Sequence, residues 1–225
     1  MGITPENGPP HTAEGIIIEK GQPMYYRPSS LLLVIALLTT VHGCVTYKSA
    51  PIDVRQIETY AYRVVTGGVS VAADPYDTSA KAKEGFHIDV TEEGFYPVNL
   101  IFKNDNDCRV LVLRKKIELI DATGNSHSTV RSTAMFQTFE KNEKTYALLG
   151  FGTFSYVSAD EANRAMATDW REKEMPDQLI ILPERKTSGF VYFKLPKERR
   201  MKGDKIRLEV ENIDSKEKLQ FELTL

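Results

Sequence analysis

Thiols and imidazoles are scarce in this chain of 225 residues, at two cysteines and four histidines, so chemistry that needs either has few places to reside. Past residue 44 the only histidines are His87 and His127. No His-x-x-x-His, Cys-x-x-Cys or His-Glu-x-x-His spacing occurs, which removes the usual zinc sites. Ser126, His127 and Asp121 have the composition of a nucleophile, a base and its orienting carboxylate. They surround a Gly124-Asn125 turn, however, and no Gly-x-Ser-x-Gly is present, so the segment reads as a polar hairpin tip. Asn104-Asp105-Asn106-Asp107 resembles half a calcium loop in composition, but the sixth and twelfth positions counted from Asp105 hold Val110 and Lys116. A turn is expected there. Cys108, next to that turn, reads as a buried or half-buried thiol acting as a small apolar residue. Gly150-Phe151-Gly152 lacks the third glycine of a dinucleotide loop. The aromatics around it carry more information: Phe151, Phe154, Tyr156 and Trp170 are the candidate partner surface. Lys197, Arg199, Arg200, Lys202 and Lys205 form a basic hairpin that solvation alone accounts for, with contact to anionic lipid or glycan as the lesser alternative. No catalytic set, metal or cofactor is expected. A hydrolase would need a site that only the fold assembles.

Lys plus Arg number 29 against 31 Asp plus Glu, a formal charge of -2. There is no global basic field of the kind that concentrates nucleic acid, and nucleic acid is not an expected partner. The strongest apolar run, Leu31 to Val41, spans roughly 16 Å as a helix, about half of a ~30 Å hydrocarbon core. With Arg27 ahead of it and small residues behind, it has the pattern of an export signal.

Val41-His42-Gly43-Cys44 follows and resembles the bacterial lipobox, with an aliphatic first position, a small third position and the cysteine; His42 departs from the usual second position. The resemblance implies cleavage between Gly43 and Cys44 and acylation of Cys44, giving several acyl chains, as stable anchoring requires. It implies a lipid-anchored protein of the bacterial envelope. Val45, which is not aspartate, points to the outer membrane of a Gram-negative host, facing the periplasm. Residues 1–23 hold Glu6, Glu14, Glu19 and the prolines Pro5, Pro9 and Pro10, unsuited to a signal, and read as an extension ahead of a start at Met24. Residues 24–43 are then the signal helix, 44–56 a tether that lifts the domain off the membrane, and 57–225 one domain.

Positioning elements follow from periodicity. Ile206, Leu208 and Val210 alternate with charged residues, as do Leu219, Phe221, Leu223 and Leu225 with polar ones, predicting a hairpin. Further strands are expected at Val69–Ala73, Phe95–Lys103, Val110–Leu113, Ile117–Ile120, Leu179–Leu182 and Phe190–Leu195. Ser158 and Glu161 have the spacing of a capping box, and Ala162, Met166 and Trp170 form a stripe, so a helix is expected over Ser158 to Met175. Shorter helices are expected at Thr133–Lys141 and Thr78–Glu84, the latter ending at Gly85. Phe95-Tyr96-Pro97-Val98-Asn99-Leu100-Ile101-Phe102 and Ser188-Gly189-Phe190-Val191-Tyr192-Phe193 resemble paired core strands of immunoglobulin-like domains in small envelope lipoproteins of unknown function. The expected fold is mainly β: an immunoglobulin-like antiparallel β-sandwich with an inserted α-helical segment, preceded by the signal helix. Its expected core includes Val98, Leu100, Phe102, Ile117, Leu119, Tyr192, Ile206, Leu208, Val210, Phe221 and Leu223. The expected role is non-enzymatic, binding an envelope protein or serving structurally.

Overall fold

The computed structural model describes Tyr47, residues 49–140, 156–197 and 199–225, with the backbone alone at 156–160. Cys44, Gly43, Phe151 and Phe154 lie outside the described residues, as do the signal segment and the first 23 residues.

Within that set the strands are β1 (Tyr62–Thr66), β2 (Val69–Pro75), β3 (Phe95–Asn104), β4 (Val110–Leu113), β5 (Glu118–Ile120), β6 (Ser126–Ser128), β7 (Gln178–Ile181), β8 (Lys186–Lys194), β9 (Lys205–Asn212) and β10 (Lys218–Thr224). The helices are α1 (Ser79–Phe86), α2 (Ser132–Glu140) and α3 (Tyr156–Lys173). One sheet runs β1-β2-β3-β8; the other runs β6-β5-β9-β4-β7, with β10 on the far side of β9. β4 and β5 lie end to end along β9, Val112 opposite Val210 and Leu119 opposite Ile206, with the short turn Arg114–Lys116 between them. The chain crosses from β3 to β4, returns as β8 beside β3, and crosses again to β9 beside β4 and β5. This Greek-key path through two antiparallel sheets is that of an immunoglobulin-like sandwich.

Every residue of the expected core is buried. Val98, Leu100 and Phe102 of β3 meet Leu208, Val210, Phe221 and Leu223 between the sheets. Tyr192 is the exception in place, because it points to the other face of its strand and joins a second cluster with Phe86, Met135, Met166, Trp170 and Phe190. β3 and β8 are thus covered on both sides, which explains their near-continuous apolar sequence. The predicted stripe on α3 packs as expected at Met166 and Trp170, while Ala162 is half-buried. The helix begins at Tyr156, two residues ahead of the expected capping box.

Three differences have physical reasons. β1 and β6 carry too little apolar alternation to announce a strand; β6 is Ser-His-Ser, held by pairing Leu119 with His127. Gly85 does not end α1. It sits inside the helix, where a Cβ would come within 2.6 Å of the Tyr76 ring, and the left-handed cap is His87, with φ at 61°. Finally, the segment after Cys44 is not a free tether from Tyr47 onward. Ile52 packs against the helical cluster and Val54 against Ile57, Tyr60 and Ile101, and Lys186 Nζ holds the carbonyls of Val54 and Arg55 at 3.1 Å each. Apolar side chains at 47, 52 and 54 make packing favourable over solvation.

Candidate functional site

Where the strand β3 passes the end of α3, its apolar run contains one amide, Asn99. Asn99 faces Phe190 of β8 and Asp74 of β2 in register. It is 1% exposed, and its Nδ2 finds no partner among the described residues. A buried donor without an acceptor is costly enough to call for a partner such as water or a ligand oxygen. Beside it lies a depression of about 290 Å³, walled by Ser49, Pro51, Ile52, Asp169, Lys173 and Ser188 among others. That volume is at the small end of the range for ligand sites.

Asp169 and Lys173 stand one turn apart on α3 and pair at 2.6 Å. Both are nearly enclosed, and Lys173 also donates to the Gly85 carbonyl at 2.8 Å. Tyr47 Oη donates to Asp169 Oδ2 at 2.6 Å, and the Ser49 hydroxyl donates to Oδ1. The carboxylate is therefore committed to three donors. This arrangement fastens the chain at Tyr47 and Ser49 to α3. Asn99 broke the apolar pattern of its strand, and Asp169 and Lys173 had helical i, i+4 spacing, so both signals were present in the sequence. Nothing local in the sequence tied Asp169 to Tyr47, more than a hundred positions away.

The residues singled out from sequence fare differently. Trp170 is fully buried, in edge contact with Phe86, Phe136 and Phe139, so it leaves the candidate partner surface: a residue filling the helical core presents nothing to a partner. Tyr156 opens α3, and Phe151 and Phe154 fall outside the described residues. Asp121 and His127 do meet, with His127 Nε2 at 3.0 Å from Oδ2. Asp121 is otherwise the capping residue of the β5–β6 turn, accepting from the backbone amides of Thr123 and Asn125 at 2.9 Å each. Ser126 and His127 are neighbours on a strand, so their side chains point to opposite faces and cannot form a nucleophile–base pair. Asn104 anchors the β3–β4 turn, its Nδ2 donating to the Cys108 carbonyl at 2.7 Å and its Oδ1 accepting from Asn106. Cys108 is half-buried and accepts from Asn212 at 3.1 Å.

The basic hairpin is largely neutralised. Lys197 pairs with Glu93 and Lys205 with Glu222. Arg199 lies between Asp121 and the buried Asp204, and Arg200 donates to the Asp77 carbonyl. Among the described residues, no group of three or more His, Cys, Asp or Glu side chains is placed to hold a metal. No described helix is long and apolar enough to cross a membrane.

No protein-family model matches the chain, and no curated protein matches it. Among solved structures it is similar to the yjhA protein from Bacillus subtilis, at 8% identity and a TM-score of 0.35, covering 72% of this chain and 95% of that one.

Proposed function

We propose that this is a lipid-anchored bacterial envelope protein, acylated on Cys44, that acts by binding and not by catalysis. The observation that carries the reading is the run Val41-His42-Gly43-Cys44, similar to a lipobox, directly behind an apolar segment with the pattern of an export signal. Every element of the described fold lies past Cys44. The outer membrane remains the preferred location, from Val45. The enclosed Asn99 amide, whose donor finds no partner among the described residues, supports recognition as the chemistry of the depression beside it. An envelope protein is the proposed partner, with Phe151, Phe154 and Tyr156 as its contact surface.

Mass spectrometry of the membrane-extracted protein tests the anchor: an N-terminal peptide starting at a Cys44 that carries diacylglycerol and acyl mass is expected. An unmodified Cys44 would remove the reading. For the partner, crosslinking in intact envelopes is expected to lose one specific adduct in the Phe151→Ala plus Phe154→Ala variant, and equal recovery would discard that surface.

A further inference from the structure

Covalent geometry limits how far a lipid on Cys44 can lie from the folded domain. Tyr47, the first described residue, lies three positions on, and three residues reach at most about 10 Å when extended. Tyr47 is held at two points, by its hydroxyl on Asp169 and by its ring, edge-on to His87 at 5.1 Å. Ser49 fastens the same carboxylate, and Ile52 and Val54 continue the attachment. Asp169 itself is 4% exposed and braced by Lys173. Released as far as Ile57, the same segment would span about 45 Å.

We propose that this strap is a leash of two lengths whose docked form seats one patch of the domain on the lipid surface. The patch is the C-terminal end of α1, where Lys83, Glu84 and His87 are exposed and the His87 ring meets Tyr47. The proposal rests on the acylation of Cys44 proposed above. With the strap docked, the domain meets the bilayer through the helical layer. The outer face of the β9–β10 hairpin, which carries Arg207, Gln220 and Glu222, lies on the far side of two sheets stacked about 10 Å apart and faces away. Docking depends on two hydrogen bonds to a single carboxylate, the Lys186 bonds to the carbonyls of Val54 and Arg55 and a few apolar contacts, so it is separable from folding. Because Ser49, Pro51 and Ile52 also wall the Asn99 depression, releasing the leash opens that site as it frees the domain.

The test uses the full chain, acylated and purified from membranes in a Cys108→Ser background, in phosphatidylcholine nanodiscs containing headgroup nitroxide lipid. A fluorophore is placed at Lys83→Cys or at Gln220→Cys. Quenching is expected to be several-fold stronger at position 83. Tyr47→Phe with Ser49→Ala is expected to bring the two positions together, and so is a ten-residue Gly-Ser insertion between Thr46 and Tyr47, which leaves every strap contact in place. Equal quenching at both positions in the parent protein, on material whose mass shows acylated Cys44, would overturn the leash and leave the anchor standing. An unacylated Cys44 would overturn both.

Discussion

Between the sheets, Val71, Val98, Leu100, Leu208 and Phe221 fit together with almost no polar group among them. On the opposite face of β3 and β8, the helical layer is built of rings and charges. Phe86 touches Trp170, Phe190 and Tyr192 edge-on, and Tyr192 Oη donates to the Trp170 carbonyl at 2.9 Å. Burial pushes the Tyr192 phenol well above its ordinary range, so it stays a donor at any working pH. The layer is then tied to the sandwich by Arg114, which reaches from the β4–β5 turn to Glu174 and Asp177 at 2.9 Å each. Ser132, at the start of α2, donates to Glu174 Oε2 at 2.5 Å. One region is specified by shape and area, the other by directional contacts that each need a named partner. Buried networks of the second kind fix an arrangement more than they stabilise it.

The chain has a single tryptophan, and it lies in the helical layer, so its fluorescence reports that layer while far-ultraviolet circular dichroism at strand wavelengths reports the sheets. Trp170→Ala should have the largest effect, about 3–5 kcal/mol from loss of a buried aromatic. Hydrogen exchange should show faster opening in α2 and α3 than in β9 and β10; uniform acceleration would mean that the two regions are one cooperative unit. Leu208→Ala should cost about 2–5 kcal/mol, with the Trp170 emission and dichroism melts shifting together, since the helical layer cannot outlast its platform. Removing the Ser132 hydroxyl as alanine should cost about 1.5–3 kcal/mol, the range for a hydrogen bond to a charged group. That loss should appear in the Trp170 emission melt before the dichroism melt.

The smallest effect concerns acid. Asp121 is held far below the usual carboxylate range, first by the His127 hydrogen bond and then by the Thr123 hydroxyl and Asn125. A carboxyl depressed on folding contributes stability above its unfolded value of about 3.9 and loses it as pH falls below that. Urea melts of Asp121→Asn should therefore lose less stability than the parent between about pH 4 and pH 2, with the sheets and not the helical layer responding. An unchanged acid slope would show that the turn adds nothing to the sandwich.

This contrast also marks what could be read in the sequence. The sandwich was legible because Ile206, Leu208 and Val210, and Phe221 with Leu223, alternate with polar residues over strands whose one face is wet. β8 and the burial of Tyr192 are legible, but the cluster that Tyr192 joins is not, since a strand buried on both sides has no alternation to show which side is which. The helical stripe Met166 to Trp170 was legible for the same reason as the sandwich. The polar ties were not, because Arg114, Ser132 and Glu174 come together from three separate segments and none has a local signature. Asp169 meeting Tyr47 is the same case at the candidate site. Gly189 illustrates the remaining gap: a Cβ there would stand 2.9 Å from Met175 Cα, so glycine is needed where the chain leaving α3 crosses β8, a demand that only the crossing creates.

The strand pairing has a consequence in time. β3 closes on β8 with Phe95 opposite Lys194, and β4 closes on β9 with Val112 opposite Val210; both partners are about a hundred residues apart, a separation that slows folding because loop closure must precede any gain from contact. Until the last third of the chain is present, only the β1–β2–β3 meander and the short β5–β6 hairpin can pair among the described strands, with one edge of β3 open and its apolar faces bare. Such an edge templates association with other chains. The sequence thus builds in an interval of vulnerability that ends only when β8 arrives, and a chain cut short before Lys186 would remain in it.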